Sequence, residues 1–263
     1  MKGLLIKKDF NNFYQNLEFE LPEPVLADDE ILVEVHFGGL NYADLMMCNG
    51  SYPHPKGYPL QAGIEFSGIV IKCGSAVQKF SIGDRVAGFS ENAGAFSEFL
   101  SVPSSSATKL NDTISLQEGA AYYVQATTAF HLLHTIGKVK TDDIVLIHAI
   151  GGGVGLNLTQ LAKNHGAKVI GTVGTDAKDR RPLKCGADLV LNSNKQDFVE
   201  EIQQKFGECP VRLLIDSTGA DILDASFALM QNLGHVISYG EASGEPYDNL
   251  WSKLVCKSLT FSR

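Results

Sequence analysis

Asp143-Ile144-Val145-Leu146-Ile147-His148-Ala149-Ile150-Gly151-Gly152-Gly153-Val154-Gly155, residues 143–155, decides the fold. An apolar, β-branched run leads into four glycines in five positions. Leu156, Leu158, Leu161 and Ala162 then recur at helical spacing. Strand, glycine loop and helix in immediate succession form the fingerprint of a dinucleotide-binding βαβ unit. One glycine makes the tight turn, one lets the backbone approach a pyrophosphate, and one lets the helix pack close to the strand. The N–H groups of Gly152, Gly153, Val154 and Gly155 would then face the phosphates, aided by the helix dipole. The alternative is a glycine-rich connector with no ligand.

The rest of the chain divides around this stretch. From residue 143 onward, strand-like runs at 143–149, 168–173, 188–191, 211–216 and 234–239 alternate with helix-like runs near 154–165, 177–184, 196–206 and 221–231. That alternation predicts βαβ units and a parallel sheet. Residues 1–115 are richer in turns and short β-branched runs, such as Ile31–Phe37 and Ile64–Ile71, which predict an irregular all-β module. Ser115 and Glu118 have capping-box spacing, and the helical pattern after them breaks around Gln125 and resumes through His134. The fold class is therefore α/β: a β-rich domain over 1–125, then a doubly wound parallel-sheet domain over 126–263.

Composition excludes several function classes. The chain has 263 residues, 44% apolar and 20% charged, enough for real cores in two modest domains. A formal net charge of −8 argues against sequence-independent nucleic-acid binding. No window approaches the roughly 18 apolar residues of a membrane span. The apolar run in MKGLLIKKDF is too short for a signal peptide, so the chain reads as cytoplasmic. Cys48, Cys73, Cys185, Cys209 and Cys256 are odd in number and widely spaced, which fits neither a disulfide framework nor a structural zinc site.

Which dinucleotide is read from the second strand of the unit. It runs over 167–173 and ends in Gly174-Thr175, with no acid at its tip to take the ribose 2′-hydroxyl of NAD. Lys178, Arg180 and Arg181 follow within four residues, as a 2′-phosphate would need. Asp176 is a counter-signal, and the cations also fit a solvated helix face. The balance favours NADP(H).

Several segments resemble one family. GLNYADLMMCNGSYP (39–53), GIEFSGIV (63–70), GDRVAGF (83–89), HAIGGGVG (148–155), GTVGT (171–175) and IDSTG (215–219) resemble the medium-chain dehydrogenase/reductase superfamily, and within it the zinc-independent quinone oxidoreductase branch that includes ζ-crystallin. The resemblance implies a GroES-like first domain and a Rossmann second domain. Zinc-dependent members carry a Cys where this chain has Asn41 and a His where it has Ile64, although Glu65 remains. Two missing ligands of three exclude a catalytic zinc, so no metal is expected.

By the same resemblance, Asn41, Asp44 and Tyr52 line the nicotinamide and substrate cleft. Each has a structural alternative: a loop-capping amide, a salt-bridged carboxylate and a turn aromatic. Thr128 aligns with a threonine near the nicotinamide. Lys178 matches a lysine on the 2′-phosphate, and Ser193 stands in place of an adenosine-side tyrosine. Gly174, Ser217, Gly240 and Ser243 fall at strand ends, where such sheets bind ligands. His148 reads as a packed neutral histidine.

The resemblance implies that Thr260–Arg263 form the sixth strand of the cofactor sheet, with Arg263 entering the cleft. Family members continue for some tens of residues beyond this point, and the sixth strand is their dimerisation edge, so a homodimer is expected. The expected activity is NADPH-dependent reduction of a quinone or small conjugated carbonyl by hydride transfer. Alternatives are an alkenal or enoyl reductase and a non-catalytic NADPH-binding protein.

Overall fold

The computed structural model describes residues 1–7, 17–52, 54–245 and 250–263. The chain divides into two compact units, Met1–Gln125 and Ala126–Arg263.

The first unit contains β1 (Lys2–Ile6), β2 (Leu17–Glu20), β3 (Glu30–Gly39), α1 (Tyr42–Cys48), β4 (Leu60–Gln61), β5 (Glu65–Cys73), β6 (Arg85–Phe89), β7 (Phe99–Pro103), β8 (Ala107–Lys109) and α2 (Leu116–Ala120). Among the described residues, its strands form two antiparallel sheets, ordered β2-β1-β4 and β7-β3-β5-β6-β8. Period-two alternation places Ile31, Val33, Phe66, Val70, Val86, Leu100 and Val102 in the core of the larger sheet. A second apolar cluster joins Ile6, Met47, Leu60 and Ala62, so α1 is packed from below by the small sheet.

The capping box forms as the spacing predicts. The Ser115 hydroxyl accepts from Glu118 N–H at 3.2 Å, and the Glu118 carboxylate accepts from Ser115 N–H at 2.8 Å. The helix it starts ends at Ala120, however, and α3 (Tyr123–Phe130) begins afresh. The break therefore lies at Ala121–Tyr122 rather than around Gln125. Its cause is Glu65, a buried carboxylate on β5 that accepts from the N–H groups of Tyr123 and Val124, the latter at 2.8 Å. Those are orphan donors of a helix N-terminus, and a carboxylate is the acceptor they favour. The pattern then closes in a π-helical segment, His131–Ile136, with Gly137 N–H bonded to Leu132 five residues back.

The second unit continues with β9 (Ile144–Ile147), α4 (Gly153–Asn164), β10 (Lys168–Val173), α5 (Arg180–Lys184), β11 (Leu189–Asn192), α6 (Phe198–Phe206), β12 (Val211–Asp216), α7 (Ala220–Ser226), β13 (Met230–Ser238), α8 (Leu250–Val255) and β14 (Thr260–Ser262). The six strands are parallel and ordered β11-β10-β9-β12-β13-β14. This is a doubly wound Rossmann sheet. Its direction of growth reverses between β9 and β12, and ligands bind at the carboxyl ends of strands flanking such a reversal.

Both faces are covered, as near-continuous apolar strands require. Val145, Ile147, Leu213 and Ile215 pack under Leu133, Leu158 and Ala162. Leu146, Ile170, Leu214 and Val236 pack under Phe198, Ile202, Leu223 and Phe227. The helix-like run 221–231 is α-helical only to Ser226 and tightens into a 3-10 turn over Phe227–Leu229, because Met230 is fully buried in the sheet as the first residue of β13. Among the described residues, no helix is long and apolar enough to cross a membrane.

The glycine loop packs tightly against the backbone. A Cβ on Gly155 would lie 2.5–2.7 Å from the backbone of Ile150. Gly155→Ala should therefore cost about 1–3 kcal/mol in chemical denaturation. Gly152→Ala, whose Cβ would meet only the Ala149 carbonyl at 3.3 Å, should cost less than about 1 kcal/mol. Equal costs would show that the loop relaxes freely around Gly155.

Candidate functional site

The loop between β9 and α4 is held at both ends. His148 N–H bonds to Ile215 O at 3.0 Å and Ile150 N–H to Thr172 O at 3.1 Å, while Ala149 takes a left-handed φ of 52°. Gly152 caps α4 with extended backbone, leaving the first N–H groups of a twelve-residue helix at the carboxyl edge of the sheet. Below the loop, His148 is fully buried. The Ser226 hydroxyl donates its one hydrogen to Ile222 O at 2.7 Å, so it accepts from His148 Nε2–H at 2.8 Å. Nδ1 then accepts from the Thr172 hydroxyl at 2.7 Å. Burial pushes the imidazole down to about 3, so His148 is a neutral spacer and does no acid–base work near neutral pH.

The adenosine end is built by the turn after β10. Lys178 packs its backbone against the glycine loop: a Cβ on Gly151 would lie 2.8 Å from Lys178 O and 3.0 Å from Lys178 Cβ. Lys178, Arg180 and Arg181 have no ion-pair partner among the described residues. Asp176, the acid of this turn, is engaged by Lys195 and by the Asn192 amide, which hold its carboxyl below the usual range. Ser193 is half-buried, with its hydroxyl on Val173 O at 3.4 Å, and the Asn194 amide donates to Gly174 O at 3.0 Å. A shallow depression of about 430 Å³ opens here, lined by Asp176, Ala177, Asp179 and Arg180.

The other strand ends carry the remaining candidates. Buried Asp216 accepts from Thr218 N–H at 3.0 Å and Gly219 N–H at 2.9 Å, folding the chain back over the tip of β12. Ser217 O accepts from Ala242 N–H at 3.0 Å, and Thr218 O from Ser243 N–H at 3.0 Å. Gly240 fits against Ser217, whose carbonyl would lie 3.2 Å from an added Cβ. Arg263 follows β14 and pairs with Glu241. Thr128 is half-buried on α3. The structure thus gathers Gly152, Gly153, Val154, Gly155, Gly174, Lys178, Ser193, Ser217, Gly240, Ser243 and Arg263 along one edge of the sheet.

In the first unit, Asn41 and Asp44 meet at the start of α1. The Asp44 carboxylate accepts from Asn41 N–H at 2.7 Å, and the Asn41 amide donates to Glu65 at 3.0 Å. Gln125 approaches Asn41 Oδ1 at 3.5 Å. Asn41 is therefore committed to holding its own domain. Asp44 is 2% exposed, and its Oδ1 has no hydrogen-bond partner. Burial, with the Glu65 charge nearby, pushes Asp44 up to about 6. Burial likewise raises Glu65, against the hydrogen bonds from Asn41, Val124 and Tyr123. Tyr52 lies beyond the end of α1 and is 45% exposed, with no partner for its hydroxyl among the described residues.

Two family descriptions match the chain: an alcohol dehydrogenase GroES-like domain over 27–112 and a zinc-binding dehydrogenase over 153–262. Quinone oxidoreductase of Salmonella typhimurium is 40% identical over 230 residues, which is 88% of this chain and 69% of that protein. The chain belongs to the quinone oxidoreductase family of the medium-chain dehydrogenases/reductases. The crystal structure of Escherichia coli quinone oxidoreductase complexed with NADPH superposes with a TM-score of 0.91, at 35% identity, covering all of this chain (100%) and 80% of that one. A mycobacterial protein complexed with NADPH follows at 0.89 and 31% identity, covering 100% of this chain and 81% of its own.

Sequence reasoning about this family member missed two arrangements. The engagement of Asp176 by Asn192 and Lys195 joins residues that are adjacent only because β10 and β11 pair. The capping of α3 by Glu65 joins residues 59 apart. The sequence signal for the second was an acid heading the largely apolar run of β5.

Asp44 sets a pH dependence. Its folded value, about 6, lies above the ordinary 3.8, so its contribution is fully present below pH 3.8 and lost as pH rises through 6. Asp44→Asn should remove that loss. The variant should gain up to about 3 kcal/mol relative to wild type between pH 4 and pH 7. Urea titrations at both pH values would read this, and a pH-independent difference would overturn it.

Proposed function

We propose that the chain is an NADPH-dependent reductase that transfers a hydride to a quinone or small conjugated carbonyl without zinc. The observation that carries this reading is the charge at the tip of β10. Its one engaged acid, Asp176, is neutralised by Lys195, while Lys178, against the glycine loop, and Arg180 and Arg181, which follow it, have no ion-pair partner among the described residues. A doubly charged 2′-phosphate suits that arrangement, and a bare ribose hydroxyl gains little from it. The NADPH complexes of relatives at 31–35% identity support it.

The residues present fit the dinucleotide. The space a Cβ would fill at Gly151 and Gly155 belongs to close backbone packing. Gly152 N–H is taken by Ala149 O at 2.9 Å, so the N–H groups of Gly153, Val154 and Gly155 at the start of α4 are the ones offered to a pyrophosphate. Lys178 would hold the 2′-phosphate, with Ser193 on the adenosine side. Gly174, Ser217, Gly240, Ser243 and Arg263 would line the rest of the edge, with Thr128 toward the nicotinamide. When bound, the cofactor supplies the hydride.

The chain's own residues would position the acceptor. Tyr52 offers an uncommitted hydroxyl to an acceptor oxygen. Asn41 and Asp44 keep the preceding loop in place, and Asp44 holds a proton only below about pH 6. The position where zinc-dependent relatives bind their metal offers little to it here: the Asn41 amide is bound to Glu65, Ile64 packs in an apolar cluster, and Glu65 is taken up by backbone N–H groups. A cytoplasmic homodimer joined at the β14 edge belongs to the same reading.

Titration with NADPH and NADH, repeated on Lys178→Ala, tests the cofactor. Wild type should prefer NADPH, and Lys178→Ala should weaken NADPH about tenfold while leaving NADH unchanged. Equal wild-type affinities would overturn the reading. Turnover with a 1,4-benzoquinone and with a 2-alkenal separates quinone from enone reduction. Tight NADPH binding with no consumption against either would leave a dinucleotide-binding protein that is not an enzyme.

A further inference from the structure

A carboxylate roughly twenty residues beyond the glycine loop, at the tip of the next strand, is what a dinucleotide-binding sheet uses to take the ribose 2′-hydroxyl. Asp176 is in that neighbourhood. It follows β10 by three residues and opens the short turn Asp176–Lys178, whose last residue packs on Gly151. Left to itself, Asp176 would favour the cofactor without a 2′-phosphate and repel the one that carries it.

It is not left to itself. One oxygen accepts from the Asn192 amide at 2.5 Å, and the other pairs with the Lys195 ammonium. Both partners come from the end of β11 and the turn after it, and that turn is built to present them. Asn192 is 7% exposed, and its carbonyl accepts from the N–H groups of Lys195 and Gln196 at 3.0 Å each. Asn192 Oδ1 accepts from Asn194 N–H at 3.1 Å, and Gln196 returns its side-chain oxygen to Asn192 N–H at 3.1 Å. The same residue thus shapes the turn that carries Lys195 and binds the carboxylate that Lys195 neutralises.

As a stabilising contact this pair counts for little, since its side chains are 65% and 59% exposed. Its weight lies in recognition. It removes one negative charge from the site and ties up both lone-pair faces of Asp176, leaving Lys178, Arg180 and Arg181 to decide which cofactor enters. Asp179 also faces this depression and is half-buried next to Arg180 in sequence.

We infer that Lys195 is the positioning residue that sets coenzyme selectivity, by occupying Asp176 and so converting a site for a ribose hydroxyl into one for a 2′-phosphate. This inference rests on the NADPH reading above. Its test uses the full chain, with NADPH and NADH binding followed by fluorescence titration at low and high ionic strength, and folding checked by circular dichroism. Lys195→Ala should weaken NADPH about five- to tenfold at low salt, less at high salt, and should tighten NADH. Asp176→Asn added to Lys195→Ala should bring the NADPH-to-NADH ratio back to within about twofold of wild type, because Asn keeps the acceptor for Asn192 without the charge.

An unchanged ratio in Lys195→Ala, in a wild type that prefers NADPH, would overturn this inference alone. A double variant no better than Lys195→Ala would also overturn it, because Lys195 would then be meeting the phosphate itself. Equal affinities in the wild type would overturn the NADPH reading, and this inference with it.

Discussion

The second unit depends on the missing side chain at Gly155. The backbone of Ile150 occupies the space where its Cβ would stand. That contact lets α4 begin directly above β9 and places Leu158 and Ala162 on Val145 and Ile147. Gly171 repeats the device from the neighbouring strand, since a Cβ there would lie 2.4 Å from the Ile150 side chain. Ile150 is therefore the peg around which strand, loop and helix close. The phosphate cradle is a consequence of that packing, because the helix cannot start so close to the sheet without presenting its first N–H groups at the strand ends. Function and packing here rest on the same absent atoms.

The parallel sheet was legible because its strands are apolar on both faces and its helices are not. The run 168–173 coincides with β10 and 211–216 with β12, and the capping box at Ser115 formed where the spacing placed it. Legibility failed where a long-range partner overrode a local pattern. Phe227-Ala228-Leu229-Met230 reads as the end of an amphipathic helix. Met230 instead pairs with Val211 and enters the sheet, and Ser226 is drawn to His148 by a bond spanning 78 residues. Local periodicity holds no record of such a bond. Of the candidate site, the glycine loop and the cation cluster could be read from spacing, whereas the state of Asp176 could not. A counter-signal in one dimension became, once β10 and β11 were paired, a carboxylate already in use.

The first unit poses the converse problem, two buried carboxylates on a domain with no ligand set for a metal among its described residues. Isolated buried charges are prohibitive, so each needs an account. For Glu65 the account is complete: the Asn41 amide and the N–H groups of Tyr123 and Val124 supply donors, and the start of α3 adds the positive end of its dipole. Gly39 makes the room, since a Cβ there would lie 2.6 Å from the Glu65 carboxylate. Glu65 thereby fixes where α3 starts, and α3 carries the chain out of the first unit at Gln125.

Asp44 is satisfied on one oxygen only, and burial, with the Glu65 charge nearby, pushes it up to about 6. Its single bond to Asn41 N–H closes the turn into α1, and the Asn41 side chain is free to reach Glu65 because its own backbone N–H is already taken. These bonds make Asn41 and Asp44 the support of the loop that enters α1. Removing either buried residue would disturb the loop before it disturbed any chemistry, while the phenol of Tyr52, 45% exposed, has no hydrogen-bond partner among the described residues.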